Sequence, residues 1–277
     1  MTQYPQTPTS RPITGHPAQD IEQPAIDERN RRLARAGVAR AEQLLVTRYG
    51  LSSTREAFDL LRHTSQQLNI KLHTLAETAV RVPAPAAGAV SWVPSRPHGV
   101  APPLPALRTN GQGLVSHSAV LKAALTRTLH ITGAEMGNVQ LVENGMLRME
   151  KHSGLNRRFT DYFAFVETST TSCAQAAEES RQVTVKDVAA SDTFDEGSRQ
   201  VILQASSRAC HSVPLRSPKG TVIGMISSHH EQTLHDLAPA QLAELEEVGS
   251  QVGRWLLWHR NTAVFTALNH LHANATR

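Results

Sequence analysis

Arg40, Arg48, Arg55, Arg62 and Lys71 fall within one short stretch, with Ser65, Asn69 and His73 interleaved. Lysine and arginine neutralise phosphates, which supply much of a protein's affinity for nucleic acid, and short polar side chains bond to bases splayed out of a loop. Charge alone would describe no more than a solvated basic face. A second set, His211, His229 and His230, invites a metal reading. Adjacent strand residues point to opposite faces, so His229 and His230 cannot share a pocket without a bulge, and no Cys or carboxylate stands at ligand spacing beside them. Ordinary strand histidines and no metal are expected. Cys173 and Cys210 are read as buried small apolar residues rather than a bridge. The chain has no Gly-rich phosphate loop, metalloprotease helix or nucleophile elbow, so no catalytic residue, no cofactor and no enzyme activity are expected.

The elements that must position the basic residues are helical. From Asp27 a proline-free run rich in Ala, Arg and Leu, with Leu33, Gly37, Ala41, Leu44 and Leu45 at helical spacing, predicts a long helix with acids at its start. Gly50 is expected to end it in the left-handed conformation. Ser53 and Glu56 predict a capping box for a second helix, whose inward face is Phe58, Leu61, Ser65 and Leu68, with Arg55, Arg62 and His63 outward. Asn69 is the expected cap of a third helix carrying Leu72, Leu75, Ala76 and Ala79.

Around this unit, residues 1–26 are a proline-rich segment with almost nothing to bury, read as a disordered tail. Residues 83–113 hold seven of the fifteen prolines and read as an extended linker with long reach, in which Trp92 is either docked or incidental. The segment 114–260 opens with a helix over 116–131, followed by a hairpin about Asn144-Gly145 and short helices near 155–165 and 173–180. A strand over 183–188, a helix over 199–206, two strands over 208–216 and 221–230 and a helix from Pro239 complete it. Residues 261–277 are expected as a C-terminal tail. The fold class is therefore an all-α N-terminal domain, residues 27–82, plus an α+β domain with a central antiparallel sheet.

The net charge of +4 is unevenly spread: residues 29–81 hold ten Lys or Arg against four acids, whereas residues 115–277 hold fifteen against sixteen. A polyanion would meet the first region. No apolar run approaches a membrane span and no signal-peptide centre is present, so no membrane partner and a cytoplasmic location are expected.

Ala41, Leu44-Leu45, Gly50-Leu51-Ser52, Glu56-Ala57-Phe58, Leu61-Arg62, Ser65, Asn69, Lys71-Leu72, Ala76 and Val80 run in the order of the ANTAR family, which this stretch resembles. The family carries Ala-Lys-Gly in its first helix where this chain has Ala41-Glu42-Gln43, so the weight of the resemblance passes to Arg62 and Lys71. Gly137-Asn138-Val139-Gln140-Leu141, the strand ending in Asp187-Val188, Ser212-Val213-Pro214-Leu215 and Ile223-Gly224-Met225-Ile226-Ser227 resemble a GAF domain. Some GAF relatives are thiol-based methionine-sulfoxide reductases, but their multi-cysteine pattern is missing here.

The two resemblances imply an RNA-binding regulator of transcription antitermination, a bacterial signal-transduction protein that binds paired stem-loops in mRNA leaders as a homodimer paired through its first helix. The GAF domain is the implied sensor, with an unknown small-molecule ligand. The alternative is a GAF-based sensor of ligands or proteins whose helical segment only dimerises.

Overall fold

The computed structural model describes residues 23–86, 88–94, 99–109, 116–166, 171, 174, 176 and 179–276. Cys173 and most of the proline-rich tail lie outside them, as does much of the helix expected near 173–180. Helix α1 spans Gln23–Tyr49, α2 Thr54–Gln67 and α3 Leu72–Arg81. α1 starts before Asp27 and carries no acid in its first turn, so the expected dipole contact is absent. Its start is fixed instead by Ile26, which is buried, and by Gln23, whose Nε2 donates to Asp161 Oδ2 at 3.0 Å. Pro24 fits there because a first-turn N–H has no helical partner to lose.

Gly50 takes the left-handed conformation, φ 64°. Ser53 Oγ accepts the Glu56 N–H, while Glu56 Oε2 accepts from the backbone and hydroxyl of Ser52, one residue before the position a capping box would use. The buried face of α2 is Ala57, Leu61 and Thr64, rotated from the expected one. Asn69 does not cap α3: it sits in the turn at φ 52°, and Lys71 precedes the helix with no side-chain cap.

One long and two short helices leave one side of their core open, and the far end of the chain closes it. Helix α7, Pro239–His259, continues through a π-helical turn, Arg260–Val264, into α8, Phe265–Ala275. Val264, Ala267, Leu268 and Leu271 pack with Ala41, Leu45, Ala57, Leu61, Leu75, Ala76 and Ala79 in one buried cluster. The segment expected as a tail is thus a structural helix, because its apolar residues recur at helical spacing and bury completely.

Described residues of the linker are likewise tied down rather than free to reach. Trp92 is buried in the same cluster and donates Nε1–H to Pro83 O at 3.0 Å. Val93 and Asn269 exchange two hydrogen bonds, and Trp258 donates to Gly99 O at 2.8 Å.

The second domain is built as α4 (His117–Thr132), β1 (Met136–Glu143), β2 (Met146–Ser153), α5 (Arg157–Tyr162), β3 (Phe165–Val166), β4 (Val183–Val185), α6 (Glu196–Gln204), β5 (Ala209–Arg216) and β6 (Val222–His230), with α7 behind. Its six strands form an antiparallel sheet in the order β3-β2-β1-β6-β5-β4. Asn144 and Gly145 both have positive φ, 51° and 79°, as a two-residue hairpin turn of this handedness requires. Alternation along the strands sends Val139, Val213, Leu215 and Ile226 to the layer of α4 and α7, and Cys210 and Met225 to the layer of α5 and α6. Gly249 and Gly253, one turn apart on α7, let it lie against β5, since a Cβ on Gly249 would come 2.5 Å from Pro214 O.

Two of the strand histidines are core groups. His229 Nδ1 meets Ser207 Oγ at 2.9 Å and its Nε2 donates to Asn138 Oδ1 at 3.1 Å; His211 is held in the same way between Thr184 Oγ1 and Gln182 Oε1. Burial, with the charge of His230 second, pushes His229 down to about 3 and His211 to about 4. Among the described residues no group of three or more His, Cys, Asp or Glu could hold a metal ion, and no helix is long and apolar enough to cross a membrane.

Leu268→Ala or Leu271→Ala should each cost about 2–5 kcal/mol in urea unfolding, whereas Thr266→Ala, at an exposed position of the same helix, should be near neutral. An unfolded histidine titrates near 6.5, so below that the unfolded chain binds protons that His211 and His229 refuse. Stability should therefore be complete above about pH 6.5 and fall as pH drops toward 4, by about 1.4 kcal/mol per unit for each ring. His229→Gln should flatten that slope by one ring's share.

Candidate nucleic-acid interface

The eight polar and basic residues predicted for this role separate into three groups. Arg40, Arg55 and Arg62 are exposed on α1 and α2. Arg55 and Arg62 flank Asp59 at 3.6 and 3.1 Å with side chains 86% and 54% exposed, and ion pairs this open hold a guanidinium only weakly. Arg32 and Arg35 are also exposed on α1. These two were not among the predicted residues, although their three-residue spacing places them on one helical face.

Arg48, Ser65 and Asn69 do local structural work. The Arg48 guanidinium lies 4.2 Å from the centre of the Trp92 ring, and burial lowers its pKa against the raising effect of Tyr49. It holds the linker rather than facing solvent. The Ser65 hydroxyl donates to Ile70 O at 2.6 Å, and Asn69 supplies the left-handed turn beside it.

Lys71 and His73 point into the other domain. Lys71 Nζ pairs with Glu150 of β2. His73 stands with Nδ1 2.9 Å from Glu143 Oε2 of β1 and Nε2 3.4 Å from Glu150 Oε1. Arg148 supports both carboxylates, 3.3 Å from Glu143 and 3.9 Å from Glu150. The side chain of Glu150 is only 3% exposed, so its charge depends on these partners. At Glu143 burial opposes the charged form, yet His73 and Arg148 outweigh it and hold the carboxyl below its usual value. The tip of the hairpin also touches α1: a Cβ on Gly37 would lie 3.0 Å from Asn144 Nδ2. The first helix is engaged within the chain as well, since Ile26, Gly37, Ala41 and Leu45 are its buried residues and Asn30 Nδ2 donates to Asp161 O at 2.7 Å. The apolar stripe of the helix through which two copies are expected to pair is thus already covered within the chain.

Between the sheet and the α5–α6 layer is a cavity of about 20 Å³ lined by residues including Asn138, Gln140, Phe159, Phe163, Cys210 and His229. That is room for about one water molecule.

The family profile of the GAF domain matches residues 115–256, and that of the ANTAR domain matches residues 29–80. Solved structures similar to this chain include the GAF domain from an Acinetobacter phosphoenolpyruvate-protein phosphotransferase, at 15% identity and a TM-score of 0.47 over 57% of this chain and 94% of that one. Another is the GAF domain of a phosphoenolpyruvate-protein phosphotransferase from Coxiella burnetii, at 11% identity and a TM-score of 0.44 over 73% and 94%. A third is a type II free methionine-R-sulfoxide reductase from Thermoplasma acidophilum, at 14% identity and a TM-score of 0.38 over 50% and 94%. Comparison with curated proteins finds no match.

Replacing both hairpin carboxylates, Glu143→Gln with Glu150→Gln, should loosen α3 from the sheet domain. Amide exchange in α3 is expected to rise by about tenfold or more, with β5 and α7 unchanged.

Proposed function

Because the chain belongs to the GAF domain family and carries an ANTAR domain ahead of it, the molecule is a regulator with a sensor domain, and we propose that its helical unit binds paired stem-loops in nascent mRNA. Binding would stabilise an antiterminator fold against the competing terminator hairpin, so that transcription continues when the binding energy exceeds the difference between the two RNA folds. The protein is proposed to act in the cytoplasm, without turnover of a substrate, and as a homodimer that offers one helical unit to each stem-loop, paired through a surface other than the buried stripe of α1.

The observation that carries this reading is a divided basic surface. Arg32, Arg35, Arg40, Arg55 and Arg62 face solvent, while Lys71 and His73 are occupied by carboxylates of the sensor's own hairpin. The exposed arginines supply an electrostatic landing surface. Withdrawal of the hairpin would release Lys71 from Glu150 and uncover the largely buried His73, which would give the sensor domain a direct grip on RNA affinity.

A second reading, a sensor whose helical unit serves protein contacts alone, is favoured by Glu42. It stands where the ANTAR family carries a basic residue, and burial raises its pKa.

Titration of the intact chain with a two-hairpin RNA across a salt series separates the two. Arg55→Ala with Arg62→Ala should weaken binding and reduce the salt slope by about one per lost phosphate contact. Glu143→Gln with Glu150→Gln should tighten it. Absence of binding by both the wild type and the carboxylate variant would leave the second reading standing.

A further inference from the structure

A cavity of about 830 Å³ opens between α3, the tip of the β1–β2 hairpin, the β5–β6 turn and the junction of α7 with α8. Its size is that of a small-molecule site, and it lies between two domains, where such sites concentrate. Its apolar lining includes Val80, Leu141, Ile223, Leu256 and Val264. The polar groups of the lining are unequal in charge. Glu143 and Glu150, which also line it, are already engaged by Lys71, His73 and Arg148.

Arg81, the last residue of α3, and Arg260, the first of the π-helical turn, both border the cavity, and neither makes an ion pair among the described residues. Arg260 is partly buried, and its nearby charges are Arg81 and the single carboxylate Glu77, whose own charge burial disfavours. A π-helical turn interrupts regular helix geometry and recurs at functional positions; here it sets Arg260 at the mouth of the cleft. His117 and His259, a tilted ring pair near it, add no positive charge: burial pushes His117 down to about 3 and lowers His259.

We propose that this interdomain cleft binds a small organic acid, its carboxylate taken between Arg81 and Arg260 and its apolar body laid against Leu141, Ile223 and Leu256. Guanidinium groups suit this role because their planar donors match a carboxylate and stay charged when partly desolvated. The site adjoins the hairpin that holds α3, so occupancy acts on the contact between the domains. Binding is measured without RNA and stands or falls apart from the RNA reading.

The test is calorimetric titration of the intact protein with octanoate, octanol and inorganic phosphate. Octanoate should bind with a Kd of about 0.1–1 mM, and octanol and phosphate much more weakly. Arg260→Gln and Arg81→Gln should each weaken octanoate by about tenfold or more, with unfolding midpoints unchanged in its absence. Ile223→Asp, which sets a carboxylate into the apolar lining, should abolish binding, and Lys219→Gln at the exposed rim should not. No octanoate binding, equal binding of octanol, equal binding of phosphate, or arginine variants that titrate like the wild type would each overturn the proposal.

Discussion

Everything in this molecule depends on the core shared between α1, α2, α3 and α8. Short helices gain little from backbone hydrogen bonding alone and depend on burying an apolar face. Ala41, Ala57, Ala76 and Ala79 allow close approach but supply little volume, and Leu268 and Leu271 provide what is missing. The N-terminal unit is therefore completed by residues that follow the sensor domain in sequence. Once α8 is in place, α7 and the π-helical turn fix where the sheet must stand, and the linker runs back along α8 with Trp92 inside the core. The two domains are joined at both of their boundaries.

That placement decides the electrostatics. The hairpin lies against α3 with two largely buried carboxylates, which present to Lys71 and His73 the same sign of charge that a phosphate would. Burial makes the pairing exacting, because Glu150 removed from its cations would be a nearly buried charge without compensation. Pairs on the open surface, such as Arg62 with Asp59, are weaker and readily exchanged. Basic residues near each other in sequence thus differ greatly in how easily a partner can claim them.

Local pattern made much of this legible. The period of α2 and α3, the Ser53 cap, the Asn144-Gly145 turn and the alternation of β5 and β6 each follow from a few adjacent residues, and the sheet could be inferred from them. Val264, Ala267, Leu268 and Leu271 also carry helical spacing, but the segment looks like a tail because its burial partners lie at the other end of the chain. The fates of Lys71 and His73 were hidden for a related reason: Glu143 and Glu150, read along β1 and β2, look like solvated strand charges. Asn69 was misplaced because Asn suits both a helix cap and a left-handed turn, and the hydrogen bond from Ser65 to Ile70 selects the turn.

The shared core also orders events in time. Domains emerging from a ribosome ordinarily fold from the N-terminus onward. Here Ala57, Leu61 and Leu75 wait for a helix that is translated only after the whole sheet has been made. During synthesis the sensor domain can assemble first, leaving the basic helices incompletely packed behind it. The helices that precede the sensor domain in the message are thus finished as a surface only after it.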